Sequence, residues 1–508
     1  MITSQLSIVG AGAAGIAIAR EFADTDISVS LIEAGGMSIT EDMQSLFEAD
    51  VEGLPHSGIR DGRARVFGGT TTLWAGQALP LRNIDFTRRE WVPLSGWPIT
   101  KQILEPYYRR SERVMKLPHS SYGSEGWESP TPSLRHLENE WLETRFSMFT
   151  HSPNFSSLYY EKLRTSNNIN IILKYGITDI GFSQDGTTVE YIVISNTEGD
   201  SLRIESDIFV LCCGGIETPR LLMHLLGKAN HNLDALGKYF NEHLHIHVPF
   251  SIKNSSKVHT MFESRRNKKA IFYPKFVAST YFQEDNEILN VGADLIYKDD
   301  RDIYLDYLKR ALRRFRNWEI VSGSQSLFRS MRQMDYVMGS ILRYALGKRK
   351  LGEGLGNAFF SIQSECLPLE ESRIELTDEY DRVGLPKMRL VWRLSRHELQ
   401  SIRAFACELD KLLRTQGIGK LDMSFLPSSD DPEDWEGIIH DSYHHMGATR
   451  MSVSCDDGVV NSDCRVHGIS NLFVASSSIF PTGGFSNPTL TLLALSLRLA
   501  DHLKSLLK

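Results

Sequence analysis

Leu6-Ser7-Ile8-Val9-Gly10-Ala11-Gly12-Ala13-Ala14-Gly15 is the stretch that decides the fold of this chain. The short apolar run over residues 5–10 has the length of one buried parallel strand. It runs into G-x-G-x-x-G, and Ile16 to Phe22 then reads as a helix. A second strand is predicted from Ile27 to Ile32, closing on Glu33 and Ala34. Gly10 permits the tight turn, and Gly12 lets the backbone approach a pyrophosphate. Ala13 and Ala14 open the helix and offer free N–H groups, while Gly15 lets helix pack on strand. An acid at the distance of Glu33 suits the hydroxyls of an adenosine ribose. The six-residue motif alone also fits a plain glycine-rich turn. The strand, turn, helix, strand and acid in sequence point instead to an ADP-containing dinucleotide, without separating NAD from FAD.

The rest of the composition narrows the class. The chain has 508 residues, 41% hydrophobic and 23% charged, as soluble globular proteins have. That length allows two or three domains, or two interleaved ones. A net charge of −7 argues against a nucleic-acid binder. No apolar run reaches the roughly 20 residues of a membrane-spanning helix. The dinucleotide motif starts where a secretory leader would stand, so a cytoplasmic location is expected. The six cysteines form no C-x-x-C pair, which gives no zinc or thioredoxin-like signature and favours buried free thiols. His243, His245 and His247 alternate, as on one face of a strand. Such a row can bind a metal, but the structural reading is favoured and no metal is expected.

Three further segments matter. Residues 63–76 read RARVFGGTTTLWAG, with paired glycines and small hydroxyl residues that suit a backbone passing close over a flat ring. Residues 207–223 read DIFVLCCGGIETPRLLM, an apolar strand ending in Gly214-Gly215. The tail holds SYHHMGATRM from Ser442 and GFSNPTLTLLALSLRLADHL from Gly484. Together these segments resemble the glucose–methanol–choline (GMC) oxidoreductases, and the tail resembles the branch of pyranose oxidase and bacterial sugar-alcohol dehydrogenases. The resemblance implies an α/β fold, with a Rossmann-like FAD-binding domain interleaved with an α+β substrate domain built on an antiparallel sheet. Residues 1–80, 151–250 and 441–508 would form the first domain, and 81–150 and 251–440 the second.

The resemblance also implies the cofactor contacts. Beyond the first motif these are Arg65, Gly68, Gly69, Thr70, Thr71, Thr72, Leu73, Trp74 and Ala75, then Ile177, Cys213 and Gly214, and finally Ser477, Ser478, Asn487, Pro488 and Thr489. Pyranose oxidase-like proteins carry a flavin-tethering histidine where this chain has Leu73, so non-covalent FAD is expected.

Oxidising an alcohol at a flavin needs a base for the hydroxyl proton and a donor for the developing alkoxide. The family's base stands three residues before a glycine. Gly447 therefore selects His444 over His445, and Asn487 falls at the family's second polar position. The expected reaction is oxidation of a sugar, glycoside or similar polyol to a ketone or aldehyde. Two other readings stay open: a non-redox flavin lyase on the same fold, and a flavoprotein subunit passing electrons to a protein partner. The basic segment 301–350 would be that partner's docking face or, more simply, two helices with a solvated side. Pro488 to Leu503 reads as a helix with proline in its first turn. Oxygen, a quinone and a redox protein all remain possible electron acceptors.

Overall fold

Strand Ile2–Val9 lies at the centre of a seven-stranded sheet, between Val29–Glu33 and Ser201–Leu211, and is parallel to both. The computed structural model describes residues 1–123, 137–228, 231–266, 268–316, 327–329, 331–347 and 357–508. Ile169–Leu173 extends the sheet beyond Val29–Glu33, and Leu472–Val474 adds a further parallel strand beside Ser201–Leu211. The antiparallel strands Val189–Ser195 and Gly176–Phe182 finish the other side. Parallel strands are covered on both faces, which explains the continuous burial of Val29 to Glu33. Helix Ala13–Phe22 follows the first strand, and helix Gly214–Gly227 follows Ser201–Leu211. Both therefore start at the same edge of the sheet, the carboxyl edge, where open α/β sheets place their ligands.

The second layer is a nine-stranded sheet, largely antiparallel. Its main path runs Gly419–Leu421, His243–Ile252, Asn357–Glu365, Val291–Lys298, Ala270–Ala278, Leu142–Thr150 and Gln77–Ala78. The expected division of the chain changes in detail here. Residues 77–78 and 243–250 lie within segments expected in the cofactor domain, yet their strands pair into this second sheet. Arg373–Tyr380 and Pro386–Trp392 form a hairpin, with Ile374 opposite Leu390 and both buried. A third strand, Asp50–Gly53, joins that hairpin.

The basic segment contains helices Asp302–Arg316 and Met334–Gly347, whereas its residues 317–326, 330 and 348–350 lie outside the described ones. Tyr336 donates to Asp302 at 2.6 Å, tying the two helices together, while Met331, Met334, Met338 and Leu342 stay exposed. Among the described residues no helix is long and apolar enough to cross a membrane.

Candidate active site

A long cavity opens at the carboxyl edge of the first sheet. Its wall includes Gly10, Gly12, Ala13, Ala14, Glu33 and Ala34 from the first motif. Arg65, Gly69, Thr70, Thr71 and Trp74 come from the second segment, with Ile177, Cys213, Gly214, Ser477, Pro488, Thr489 and His444 from the remainder. Three helices point their first turns into it: Ala13–Phe22, Gly214–Gly227 and Thr489–Leu506. None has a side-chain cap, so their first N–H groups are left for a ligand. A Cβ on Gly12 would meet no protein atom within 4 Å, while one on Gly69 would stand 2.8 Å from Gly12 Cα. Gly12 thus opens onto the passage that a pyrophosphate needs, and Gly69 packs directly against the Gly12 backbone beside it. Glu33 binds the turn itself, accepting from the Ala11 and Gly35 amides at 2.9 Å each. Each of its oxygens keeps a lone pair for a ribose hydroxyl.

Other expected contacts lie elsewhere. Gly15 packs helix on strand, since a Cβ there would stand 1.9 Å from the Gly10 carbonyl oxygen. Gly68 turns with φ of 101° against Ser156. Thr72 bonds back to the Gly69 carbonyl, and Ser478 pairs with Thr449 in the interior. Leu73 and Ala75 point outward, Leu73 being 48% exposed. The short helical turn Gly69–Thr72 causes this split, because it sends neighbouring side chains to opposite sides.

The loop carrying His444 is gripped by the start of strand His243–Ile252. Asn241 and Met446 exchange both backbone hydrogen bonds, at 3.0 and 2.9 Å. The buried Glu242 carboxylate accepts from the His444 amide at 2.7 and 2.9 Å and from the His243 amide at 2.9 Å. A Cβ on Gly447 would stand 2.1 Å from the Tyr239 carbonyl oxygen, so only glycine lets the loop close on this strand. Asn487 reaches His444 from the opposite side, and buried Glu365 anchors its loop. Glu365 pairs with Arg89 through two 2.7 Å contacts and accepts from the Gly484 amide at 3.1 Å.

The hydrogen-bond network assigns the tautomer of His444. The amide nitrogen of Asn487 lies 3.0 Å from its Nε2, so Nε2 is the bare acceptor. Its Nδ1 lies 2.9 Å from Nδ1 of His243, and the Gln363 amide nitrogen lies 2.7 Å from the His243 atom and 3.3 Å from the His444 one. The Nδ1 proton of His444 is therefore donated to His243. Burial, reinforced by His243, His245 and Lys275, holds the His444 pKa well below its ordinary value. Burial takes His243 down to about 4. Sequence reasoning placed His243 on a strand but gave no sign of its pairing with His444. Gln363 carried no signal at all.

The same sheet face continues as a polar wall. His245 stands opposite Gln363, and His247 opposite Ser361, which in turn faces Asp294. Lys275 pairs with Asp294, and Lys298 contacts His247 Nδ1 at 2.6 Å. His245 contacts Ser361. The row is thus engaged in side-chain hydrogen bonds along the wall, which agrees with the structural reading of its alternation.

Beside the cavity, Arg63, Arg65 and Arg220 surround the buried Glu217. Burial pushes the Glu217 carboxyl up, but Arg65, Arg220 and Arg63 outweigh it and hold it at about 2. A depressed acid stabilises the fold above its unfolded value of 4.5, and that stability is lost as pH falls towards about 2. Glu217→Gln leaves three buried cations with one carboxylate fewer. It is expected to cost about 3–5 kcal/mol near neutral pH, and thermal melts from pH 7 down to 2 should show a smaller acid-induced loss than in the parent.

Comparison with known proteins agrees with this architecture. Residues 368–496 match the family model described as GMC oxidoreductase. A 2-methyl-1,2-propanediol dehydrogenase of Mycolicibacterium austroafricanum is 25% identical over 63% of this chain and 52% of its own length. A C-glycoside 3-oxidase of Microbacterium trichothecenolyticum is 32% identical over 26% of the chain and 24% of its own length. The chain thus aligns with about half of the first relative and a quarter of the second. The crystal structure of pyridoxine 4-oxidase from Mesorbium loti superposes with a TM-score of 0.57 at 16% identity, over 98% of this chain and 99% of that one.

Proposed function

We propose, for a chain whose residues 368–496 match the GMC oxidoreductase family model, that it binds FAD and oxidises an alcohol group of a sugar, glycoside or similar polyol. One observation carries this reading: His444, in the cavity wall, holds a bare Nε2 3.0 Å from the Asn487 amide. Nε2 takes the hydroxyl proton of the substrate. The Asn487 amide, displaced from Nε2 by the incoming hydroxyl, donates to the same oxygen and stabilises its growing negative charge. His243 holds the Nδ1 proton and with it the tautomer. Bound FAD supplies the acceptor for the carbon-bound hydrogen as hydride, completing the two-electron oxidation. Three uncapped helix N-termini and the open space beside Gly12 fit its diphosphate.

The polar wall of His245, Ser361, Gln363 and Asp294 supports a polyhydroxylated substrate, because it lays donors and acceptors side by side on the face that carries His243. The two relatives, a diol dehydrogenase and a glycoside oxidase by name, support the same class. An exposed Leu73 gives a flavin no tether, which supports non-covalent binding. All six cysteines are free thiols, which supports a reducing, cytoplasmic setting.

Anaerobic flavin bleaching tests the proposal. Sugars, glycosides and diols are added to the flavin-loaded protein without oxygen. Loss of the oxidised flavin spectrum with one class supports the reading, and admitting oxygen then separates oxidase from dehydrogenase. Retained flavin that no alcohol bleaches favours the lyase reading. His243→Ala removes the acceptor that fixes the His444 tautomer. The bleaching rate should fall about tenfold, the worth of one hydrogen bond of about 1.4 kcal/mol, with flavin content unchanged.

A further inference from the structure

Behind His444, on the side away from Asn487, three buried side chains converge without completing one another's hydrogen bonds. His56 Nε2 lies 3.5 Å from Glu242 Oε2, and His445 Nε2 lies 3.7 Å from the same oxygen. All three ligand atoms fall within 4.8 Å of one another. His56 and Glu242 side chains are fully buried, and that of His445 is 8% exposed. Neither nitrogen of His56 nor Nε2 of His445 has a hydrogen-bond partner.

We propose that His56, Glu242 and His445 form a divalent metal site of the zinc class, which clamps the loop carrying His444 to the sheet. The donor set is two imidazoles and one carboxylate, a combination that zinc accepts. Two ligands of a tetrahedral zinc, each about 2.0–2.1 Å from the ion, stand about 3.4 Å apart. The contacts of 3.5 and 3.7 Å are close to that spacing, and both are longer than a well-formed hydrogen bond.

The surroundings support a cation as well. His56 turns its other nitrogen, Nδ1, towards Asp441 Oδ2 at 3.9 Å. Asp441 is itself fixed, accepting from the Ser57 and Gly58 amides at 2.9 Å each. A carboxylate behind a ligating imidazole is the common means of orienting such a ligand. Trp392 and Phe240 pack edge-on against the His56 ring and keep water out. A Cβ on Gly58 would stand 2.7 Å from both Asp441 Oδ2 and His445 Nε2, so glycine keeps the opening clear.

The site joins three distant parts of the chain: the loop after strand Asp50–Gly53, the start of strand His243–Ile252, and the loop of residues 442–447. Its ligands Glu242 and His445 are the chain neighbours of His243 and His444. An ion there fixes both backbones that hold the base and its orienting partner.

The test uses the full-length, flavin-loaded protein without a histidine tag. It is purified from zinc-supplemented medium, and its metal is measured by plasma mass spectrometry. The expected result is about one zinc per chain, falling to background in the His56→Gln and His445→Gln double variant while the flavin spectrum remains. Co2+ exchanged into the parent should add ligand-field bands at longer wavelength than the flavin absorbance. If the variant misfolds, the parent alone decides the matter through its zinc content and the cobalt bands. A parent that holds flavin but no stoichiometric metal, even after incubation with Zn2+ and Co2+, overturns the proposal. Equal metal in parent and folded variant also overturns it, as adventitious binding. Neither outcome bears on alcohol oxidation, which the bleaching assay reads separately.

Discussion

Replacing His444 by alanine is expected to slow substrate-driven flavin bleaching by about 10²–10⁴-fold, the usual contribution of a positioned general base. That loss corresponds to about 3–5 kcal/mol of barrier. The size of the effect follows from the site's isolation. His444 is partly buried, and its Nε2 is the bare imidazole nitrogen facing Asn487, so no neighbouring base among the described residues has the geometry to take over. Flavin content should stay near the parent's, because the dinucleotide cradle is built from other segments. Asn487→Ala should produce a smaller fall, since it removes a donor to the oxygen but leaves the proton acceptor in place. The informative measurement is the anaerobic rate of flavin reduction at saturating substrate, with the flavin spectrum recorded before mixing. A His444→Ala protein that bleaches within tenfold of the parent rules out His444 as the base.

The second large effect separates cofactor binding from folding by two substitutions in one motif. Gly12→Val places its side chain where no protein atom lies within 4 Å, inside the passage reserved for the pyrophosphate. The protein should fold, give a cooperative melt and lack flavin even after FAD is added. Gly15→Val drives its Cβ to 1.9 Å from the Gly10 carbonyl oxygen, against backbone that cannot move aside. That variant should fail to accumulate as folded protein. The contrast is between an open cavity and a helix–strand contact, three residues apart. Circular dichroism and the flavin-to-protein absorbance ratio read both outcomes. Full flavin occupancy in folded Gly12→Val would rule out the open space beside Gly12 as the diphosphate site.

The first strand, its glycine turn and the helix after it were legible because they are local. Their spacing encodes backbone geometry over about twenty residues, and the strand Ile2–Val9 and helix Ala13–Phe22 follow it closely. His444 and Asn487 were chosen by motif, and the structure brings them within 3.0 Å although 43 residues separate them. The wall of the second segment was only half legible. A reading by motif takes Gly68 to Ala75 as one unit, while the helical turn Gly69–Thr72 sends Leu73 outward and Trp74 inward.

The sequence by itself determined the dinucleotide-binding half, because a strand, a turn and a helix start are set by neighbours and by where glycine is required. It also determined the identity of the two polar residues beside the cavity, because their motifs are short and local. Only the tertiary structure decided the tautomer of His444, which depends on His243, 201 residues away. It alone assembled the polar wall, since cross-strand neighbours such as His245 and Gln363 come from register and not from spacing. The cluster of His56, Glu242 and His445 arose in the same way, from three segments that no local pattern links. Contacts of this kind are chosen by packing of the whole chain, where burial makes an unpaired polar atom costly and so fixes its partner.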